Sequence, residues 1–235
     1  MAVAALGVAV PSLLLGFISP LFATMLWQTT AGALTVANAK NNNGGANTPL
    51  ESVKPLKVLT PKTATHANEQ DYRIGNDNAP VVVHVFSDFQ CPHCLLAGKA
   101  LHEAVKQFGG NQVLYVYKNY PLDNACNVNI PRPAHVFSCL LAKSARCAGE
   151  QNAFWPWHDW LFNQIEQPSQ VLVKTFSLDG LKLQAKGMGI NPSTFNTCLQ
   201  AERHKTHIQA EIAMADSLGI KGTPAIFING LAYTG

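Results

Sequence analysis

A cysteine pair set between a strand and a helix constrains this chain more than any other feature. Residues 81–86 read VVVHVF, six β-branched or aromatic-rich residues behind Pro80, which is the pattern of a buried strand. The residues SDFQ then lead into Cys91-Pro92-His93-Cys94. After the pair, Leu95, Leu101, Ala104, Val105 and Phe108 recur at spacings that fit one helix face, and Gly109-Gly110 stops that helix. A second strand, VLYVYKNY, occupies residues 113–120. Strand, helix and strand in this order make a βαβ unit, so the sheet is expected to begin parallel.

That placement gives the pair its chemistry. Cys91 falls at a helix N-terminus, where unpaired backbone N–H groups and the helix dipole favour a thiolate. A lowered thiol pKa makes it the attacking sulfur. Cys94 lies one turn on, within disulfide reach and partly covered. Pro92 restricts the turn and removes one donor, and a cationic His93 adds to the preference for the thiolate. A stabilised thiolate is a stabilised reduced form, hence a more oxidising disulfide. Half of a zinc site is the rival reading, but no second C-x₂-C or H-x₃-H pair follows at zinc spacing, so no metal is expected. His204 and His207, three apart, are expected on a surface-like amphipathic helix. A purely structural bridge one turn apart is strained and disfavoured.

The rest of the chain divides by charge. The first charged side chain is Lys40, so the 17 basic and 14 acidic residues all lie beyond residue 39. Residues 2–36 are long enough to cross a bilayer, which takes about 20 apolar residues. Residues 1–39 are therefore expected to be a transmembrane span or an uncleaved signal. Ala37-Asn38-Ala39 fits a signal-cleavage pattern, but the run lacks a basic n-region. A buried core helix is the third alternative. Lys40, Lys54 and Lys57 follow the run, which on a simple positive-inside count sets its C-terminal side in the cytoplasm. Residues 40–72, rich in Asn, Gly, Thr, Pro and Lys, are expected to be a linker. A net charge of +3 without a dense basic run argues against nucleic acid as a partner.

Between the second strand and the end, helices are expected over 132–148, 154–165, 178–186 and 192–199, with another marked by Ile208, Ile212, Ala215 and Leu218. Gly222-Thr223-Pro224 leads into AIFI, a strand, and Asn229-Gly230 is a hairpin signal before LAYTG. A covering apolar helix is expected after that last strand, which would make the sequence a fragment.

Together, VVVHVFSDFQ, CPHC, the strand ending in NYPL and the later GTPAIFING resemble the thioredoxin-fold oxidoreductases of the DsbA-like type. The stretch NYPLDNACN…FSCLLAKSARCAGEQNAFWPWHDWLF is similar to the thioredoxin modules fused to bacterial vitamin K epoxide reductase homologues. The resemblance implies an α/β thioredoxin domain over residues 73–235, with a helical insertion at about 123–218. It implies Cys91 as nucleophile, Cys94 as resolving thiol, Pro224 as a cis-proline facing them, and Thr223 offering backbone groups to a substrate strand.

Four cysteines remain. Cys139 and Cys147 are eight apart on one expected helix, about 12 Å of rise, too far to bridge each other. Cys126, in the preceding loop, can partner either one. We take Cys126–Cys139, with Cys198 free and buried; a relay of electrons from such a pair to Cys91–Cys94 is the alternative. Asp88 is expected to cap a turn and is not assigned to catalysis. His84 is expected in or near the core, His135 at a helix start, and Phe154, Trp155, Trp157 and Trp160 in a packed helix start. His158 with Asp159 suggests no triad.

The expectation for function is a thiol–disulfide oxidoreductase, net oxidant, in an extracytoplasmic compartment, as the cysteine usage suggests. It needs no cofactor. Its substrates would be reduced or unfolded protein thiols. Its redox partner would be a quinone-linked membrane oxidase, fused upstream. A disulfide isomerase or reductase, and a non-catalytic thioredoxin-like binding module, are the alternatives.

Overall fold

The computed structural model describes residues 71–167 and 169–233. The expected span at residues 1–39 and all but the last residues of the expected linker lie outside them. Among the described residues, no helix is long and apolar enough to cross a membrane.

Strand β1 (Tyr72–Ile74) is followed by β2 (Val81–Ser87), α1 (Pro92–Phe108) and β3 (Val113–Asn119). Five helices come next: α2 (Ser138–Gly149), α3 (Phe154–Gln164), α4 (Ser169–Thr175), α5 (Leu178–Gly187) and α6 (Pro192–Gln200). Helix α7 (Lys205–Ser217) returns the chain to the hairpin β4 (Ala225–Ile228) and β5 (Leu231–Tyr233). The strands form one sheet in the order β1-β3-β2-β4-β5. Strands β2 and β3 are parallel, with Val83 opposite Tyr115 and Val85 opposite Tyr117; the other pairings are antiparallel.

The parallel pair is buried on both faces because both are covered. On one face Tyr115 and Tyr117 meet His102 of α1 and Trp155 and His158 of α3. On the other, Phe86 and Phe227 pack with Ile208, Ile212 and Ala215 of α7. Helix α1 buries Leu95, Leu101, Ala104 and Val105, whereas Phe108, expected on that face, is 38% exposed at its end. Gly109, at φ +85°, closes α1 in a conformation that L side chains rarely adopt. Asn229 and Gly230 both have positive φ, as a tight hairpin turn between β4 and β5 requires.

Three sequence expectations need correction. The helix expected from Arg132 begins only at Ser138. Pro133 removes a donor and restricts Arg132, and the Ala134 and His135 amides turn back to the Leu122 carbonyl. His135 therefore lies before the helix, not at its start. Cys198 is not free: it is bonded to Cys147, alongside the Cys126–Cys139 bridge. His204 and His207 are not surface-like. His204 lies 2.9 Å from Glu150, and His207 lies 3.3 Å from the buried Glu211. Two elements escaped the sequence altogether. Strand β1 is three residues long, too short to show alternation, and α4 buries none of its side chains, so it carries no apolar period.

Buried charges tie the frame. Lys118 of β3 meets Asp71 at 2.6 Å, and Glu211 of α7 accepts from the Asn119 amide and side chain, with Arg146 of α2 at 3.8 Å. The Cys147–Cys198 bridge spans 51 residues against 13 for Cys126–Cys139. Loop-closure entropy therefore makes it the stronger staple, worth up to about 4 kcal/mol. Replacing both Cys147 and Cys198 with serine is expected to lower the unfolding free energy by roughly that amount in urea titration. The same change at Cys126 and Cys139 is expected to cost about 3 kcal/mol.

Candidate active site

Strand β2 ends at Ser87, and a three-residue turn delivers Cys91 to the start of α1 as its N-cap, with no side-chain cap bond of its own. The Cys94 and Leu95 amides point back to the Cys91 carbonyl at 3.0 and 3.2 Å. Pro92 takes the first helical position, where a missing N–H costs nothing. Across from the pair, the Thr223–Pro224 peptide bond is cis, and the Cys91 thiol donates to the Thr223 carbonyl at 3.4 Å. Thr223 and Pro224 are half-buried. Cys91, Cys94, Thr223 and Pro224 thus converge from the two ends of the domain sequence.

The two sulfurs differ sharply. Hydrogen bonding from Cys94 is the largest influence on Cys91 and lowers its pKa to about 5 against the opposing effect of burial. The Thr223 side chain and the amides of Cys94 and His93 add to this. Burial, first of all, raises the pKa of Cys94, and sharing a proton with Cys91 raises it further. His93 contributes a backbone hydrogen bond to Cys91, and its side chain is exposed at the rim.

Asp88 caps the cysteine turn as expected, but its wider network was not legible in the sequence. Asp88 is buried at 1% exposure. Its carboxylate accepts from the Gln90 amide at 2.7 Å, the Leu122 amide at 2.7 Å and the Ser138 hydroxyl at 2.6 Å, and it faces His135 Nδ1 at 3.1 Å. Its own N–H points to Cys94 Sγ at 3.5 Å, and its carbonyl accepts from the Cys91 amide at 3.1 Å. One side chain therefore fastens the cysteine turn to the loop after β3 and to the start of the helical insertion. Gln90 adds a second clamp by accepting from the Phe137 amide at 2.7 Å. Hydrogen bonding to Asp88 raises the pKa of His135, and the Cys91 thiolate contributes in the same direction. An acid three residues before the cysteine pair was a visible signal, but its partners at 122, 135 and 138 come from a loop whose path the sequence does not specify.

The remaining candidates fall as follows. His84 is buried on β2, its pKa lowered to about 4 by burial and by Lys118. Trp157 is wholly buried and donates to Ser144 at 3.0 Å, a packed helix start. His158 lies in an aromatic surround with Asp159 at 2.8 Å, and no nucleophilic side chain completes a triad with them among the described residues. Of the polar clusters able to hold a metal, one contains Cys147 and Cys198, whose sulfurs are committed to a disulfide. Another, Asp71 with His207 and Glu211, already has Lys118 and Arg146 for its cations.

Residues 67–235 match the family model described as Thioredoxin. The chain belongs to the thioredoxin family. Its fold is the DsbA-like form, with helices inserted between β3 and the closing hairpin. Oxidised BdbD from Bacillus subtilis superposes with a TM-score of 0.55 at 22% identity, covering 71% of this chain and 85% of that one. Wolbachia pipientis alpha-DsbA1 gives 0.56 at 21% identity, covering 72% and 84%. The curated relatives carry a different name. A protein named Na(+)/H(+) antiporter NhaA 1 from Salinispora arenicola is 30% identical over 169 residues, which is 71% of this chain but 23% of that protein. NhaA 3 from Salinispora tropica is 28% identical over the same length. This chain spans about a quarter of the length of these relatives.

Proposed function

We propose that this domain is a net oxidant of protein thiols, working through the Cys91–Cys94 disulfide outside the cytoplasm. The observation that carries the reading is the geometry of the pair: Cys91 is the N-cap of α1 with its sulfur 3.4 Å from the Thr223 carbonyl at the cis peptide bond, and Cys94 lies buried behind it. In that setting the Cys91 pKa is lowered and that of Cys94 raised. A substrate thiolate attacks Cys91 Sγ. The Cys91–Cys94 bond breaks, Cys94 leaves and takes up a proton, and the substrate is held as a mixed disulfide on Cys91. A second substrate thiolate then attacks the substrate sulfur and expels Cys91 as its stable thiolate. Two electrons pass to the pair and the substrate gains one disulfide. Thr223, half-buried beside the sulfur, is suited to align an extended substrate segment by strand addition. The two further disulfides in the insertion support an oxidising compartment.

Return to the oxidised state needs an electron acceptor, for which a quinone-linked membrane oxidase is the chemical class expected. The antiporter names of the curated relatives, most of whose length lies outside the match, support a membrane protein as the neighbour of such a module. They point to a transporter as a second kind of neighbour.

The midpoint potential against glutathione tests the reading. A value above about −200 mV supports net oxidation, and one below it marks a reductant. The pH profile gives a second check. With Cys91 ionising at about 5 and Cys94 holding its proton, reduction takes up two protons below that pH and one above. The potential is therefore expected to fall by about 59 mV per pH unit in acid and about 30 mV per unit above pH 5. A slope of about 59 mV persisting to pH 8 would contradict it.

A further inference from the structure

Behind the active-site helix lies a cavity of about 400 Å³, lined by Leu95, His102 and Glu103 of α1 and His158, Asp159 and Phe162 of α3. Three metal-ligating side chains converge on it. His158 Nδ1 lies 2.8 Å and His102 Nδ1 3.8 Å from the same Asp159 Oδ1. One ligand atom from each of the three residues lies within 4.8 Å of the others. The two imidazoles lie 5.5 Å apart, inclined by 28°. An ordinary His158–Asp159 pair accounts for two of these groups. It does not account for a second imidazole, from another helix, turned to the same carboxylate oxygen inside a cavity.

We propose that His102, His158 and Asp159 form a binding site for a divalent transition metal that clips the active-site helix to the helical insertion. Imidazole nitrogen with carboxylate oxygen is a donor set that suits zinc(II) and its neighbours rather than calcium or magnesium. The bonds needed are about 2.0–2.2 Å, so neighbouring donors in a tetrahedral shell stand about 3.4 Å apart. His158 is the fixed donor: it is 2% exposed and walled by Phe162 at 4.8 Å, Trp155 at 5.1 Å and Tyr117 at 5.3 Å. His102 and Asp159 are 26% and 53% exposed at their side chains, so small rotamer shifts bring them onto the ion. In both imidazoles Nε2 is buried and has no hydrogen-bond partner, so coordination through Nδ1 displaces no contact there. The cavity leaves room for a water as the fourth ligand.

The consequence is mechanical. His102 stands eight residues after Cys94 on α1, whereas His158 and Asp159 belong to the first turn and a half of α3. A metal binding the folded form alone adds stability by mass action and holds α1 against the insertion.

The test uses the full chain with Cys91–Cys94 oxidised, so that the pair cannot bind the ion, and titrates zinc chloride by calorimetry. One equivalent is expected to bind with a dissociation constant of about 10 μM or tighter, or −7 kcal/mol or better. His102→Gln and Asp159→Asn, both at partly exposed positions, are each expected to weaken binding at least tenfold. Thermal unfolding without zinc checks that both variants fold, and excess zinc is expected to raise the midpoint of the unmodified chain but not of the double variant. Absence of saturable binding up to 100-fold above that constant overturns the proposal. So does zinc affinity unchanged in the double variant, which would place the ion elsewhere. Neither readout depends on thiol exchange.

Discussion

Serine at position 91 is expected to abolish oxidation of a reduced, unfolded protein, down to the rate seen without the domain. The loss is complete because Cys91 is the sulfur that faces Thr223 and Pro224, while Cys94 is buried at 1% exposure with its proton held. Cys94 cannot substitute, since its thiolate fraction at neutral pH is negligible. The complementary change, Cys94→Ser, is expected to leave Cys91 able to form a mixed disulfide but unable to close it, so covalent substrate adducts should accumulate. The potential follows from the same asymmetry. Lowering a thiol from the usual 8–9 range to about 5 favours the reduced form at pH 7 by up to about two decades, or about 60 mV. Solvent screening at the rim of the site reduces that figure. Retention of substantial oxidation by Cys91→Ser would remove the basis of the proposed function.

The second large effect is expected at Asp88. Replacing it with alanine strands the Leu122 and Gln90 amides, the Ser138 hydroxyl and the His135 ring around a buried void. Each buried donor left unpaired costs about 1–3 kcal/mol, and loss of the His135 pairing adds to this where that ring is protonated. Asp88→Asn keeps the shape and is expected to cost less, but His135 then loses the partner that raises its pKa. The sign of the pH effect follows. The stability gained from His135 is fully present below the ordinary histidine pKa of about 6.5 and disappears as pH rises through the raised value. The stability difference between the original chain and Asp88→Asn should therefore be largest in mild acid and shrink toward pH 9. Urea unfolding at pH 5.5 and pH 9 measures it, and an unchanged difference would refute the His135–Asp88 account.

Much of this was legible in the sequence because it is local. The run VVVHVF, the CPHC turn and the two glycines after α1 each specify a backbone outcome within a few residues, and strands β2, β3 and β4 lie where those signals put them. The helical insertion was read less well. Arg132 to Phe137 was expected to be helical, but Pro133 and the Leu122 carbonyl hold it in turns. Cys147 with Cys198 could not be read, because the pairing depends on how α2 and α6 pack, across 51 residues. The same limit hid the Asp88 network, whose donors come from a loop and a helix 34 to 50 residues on. At His93 the structure adds what the side chain did not suggest, a backbone hydrogen bond to Cys91.

The central claim is that Cys91 is the acidic, attacking sulfur of the pair. Thiolate absorbance in the ultraviolet, followed against pH in the fully reduced chain and in Cys94→Ala, measures it directly. The account predicts a single ionisation in the reduced chain with a midpoint near 5. A shift toward the ordinary thiol range is expected in Cys94→Ala, where the hydrogen bond from position 94 is gone. A midpoint at the ordinary thiol value of about 8.5 in the reduced chain would contradict it.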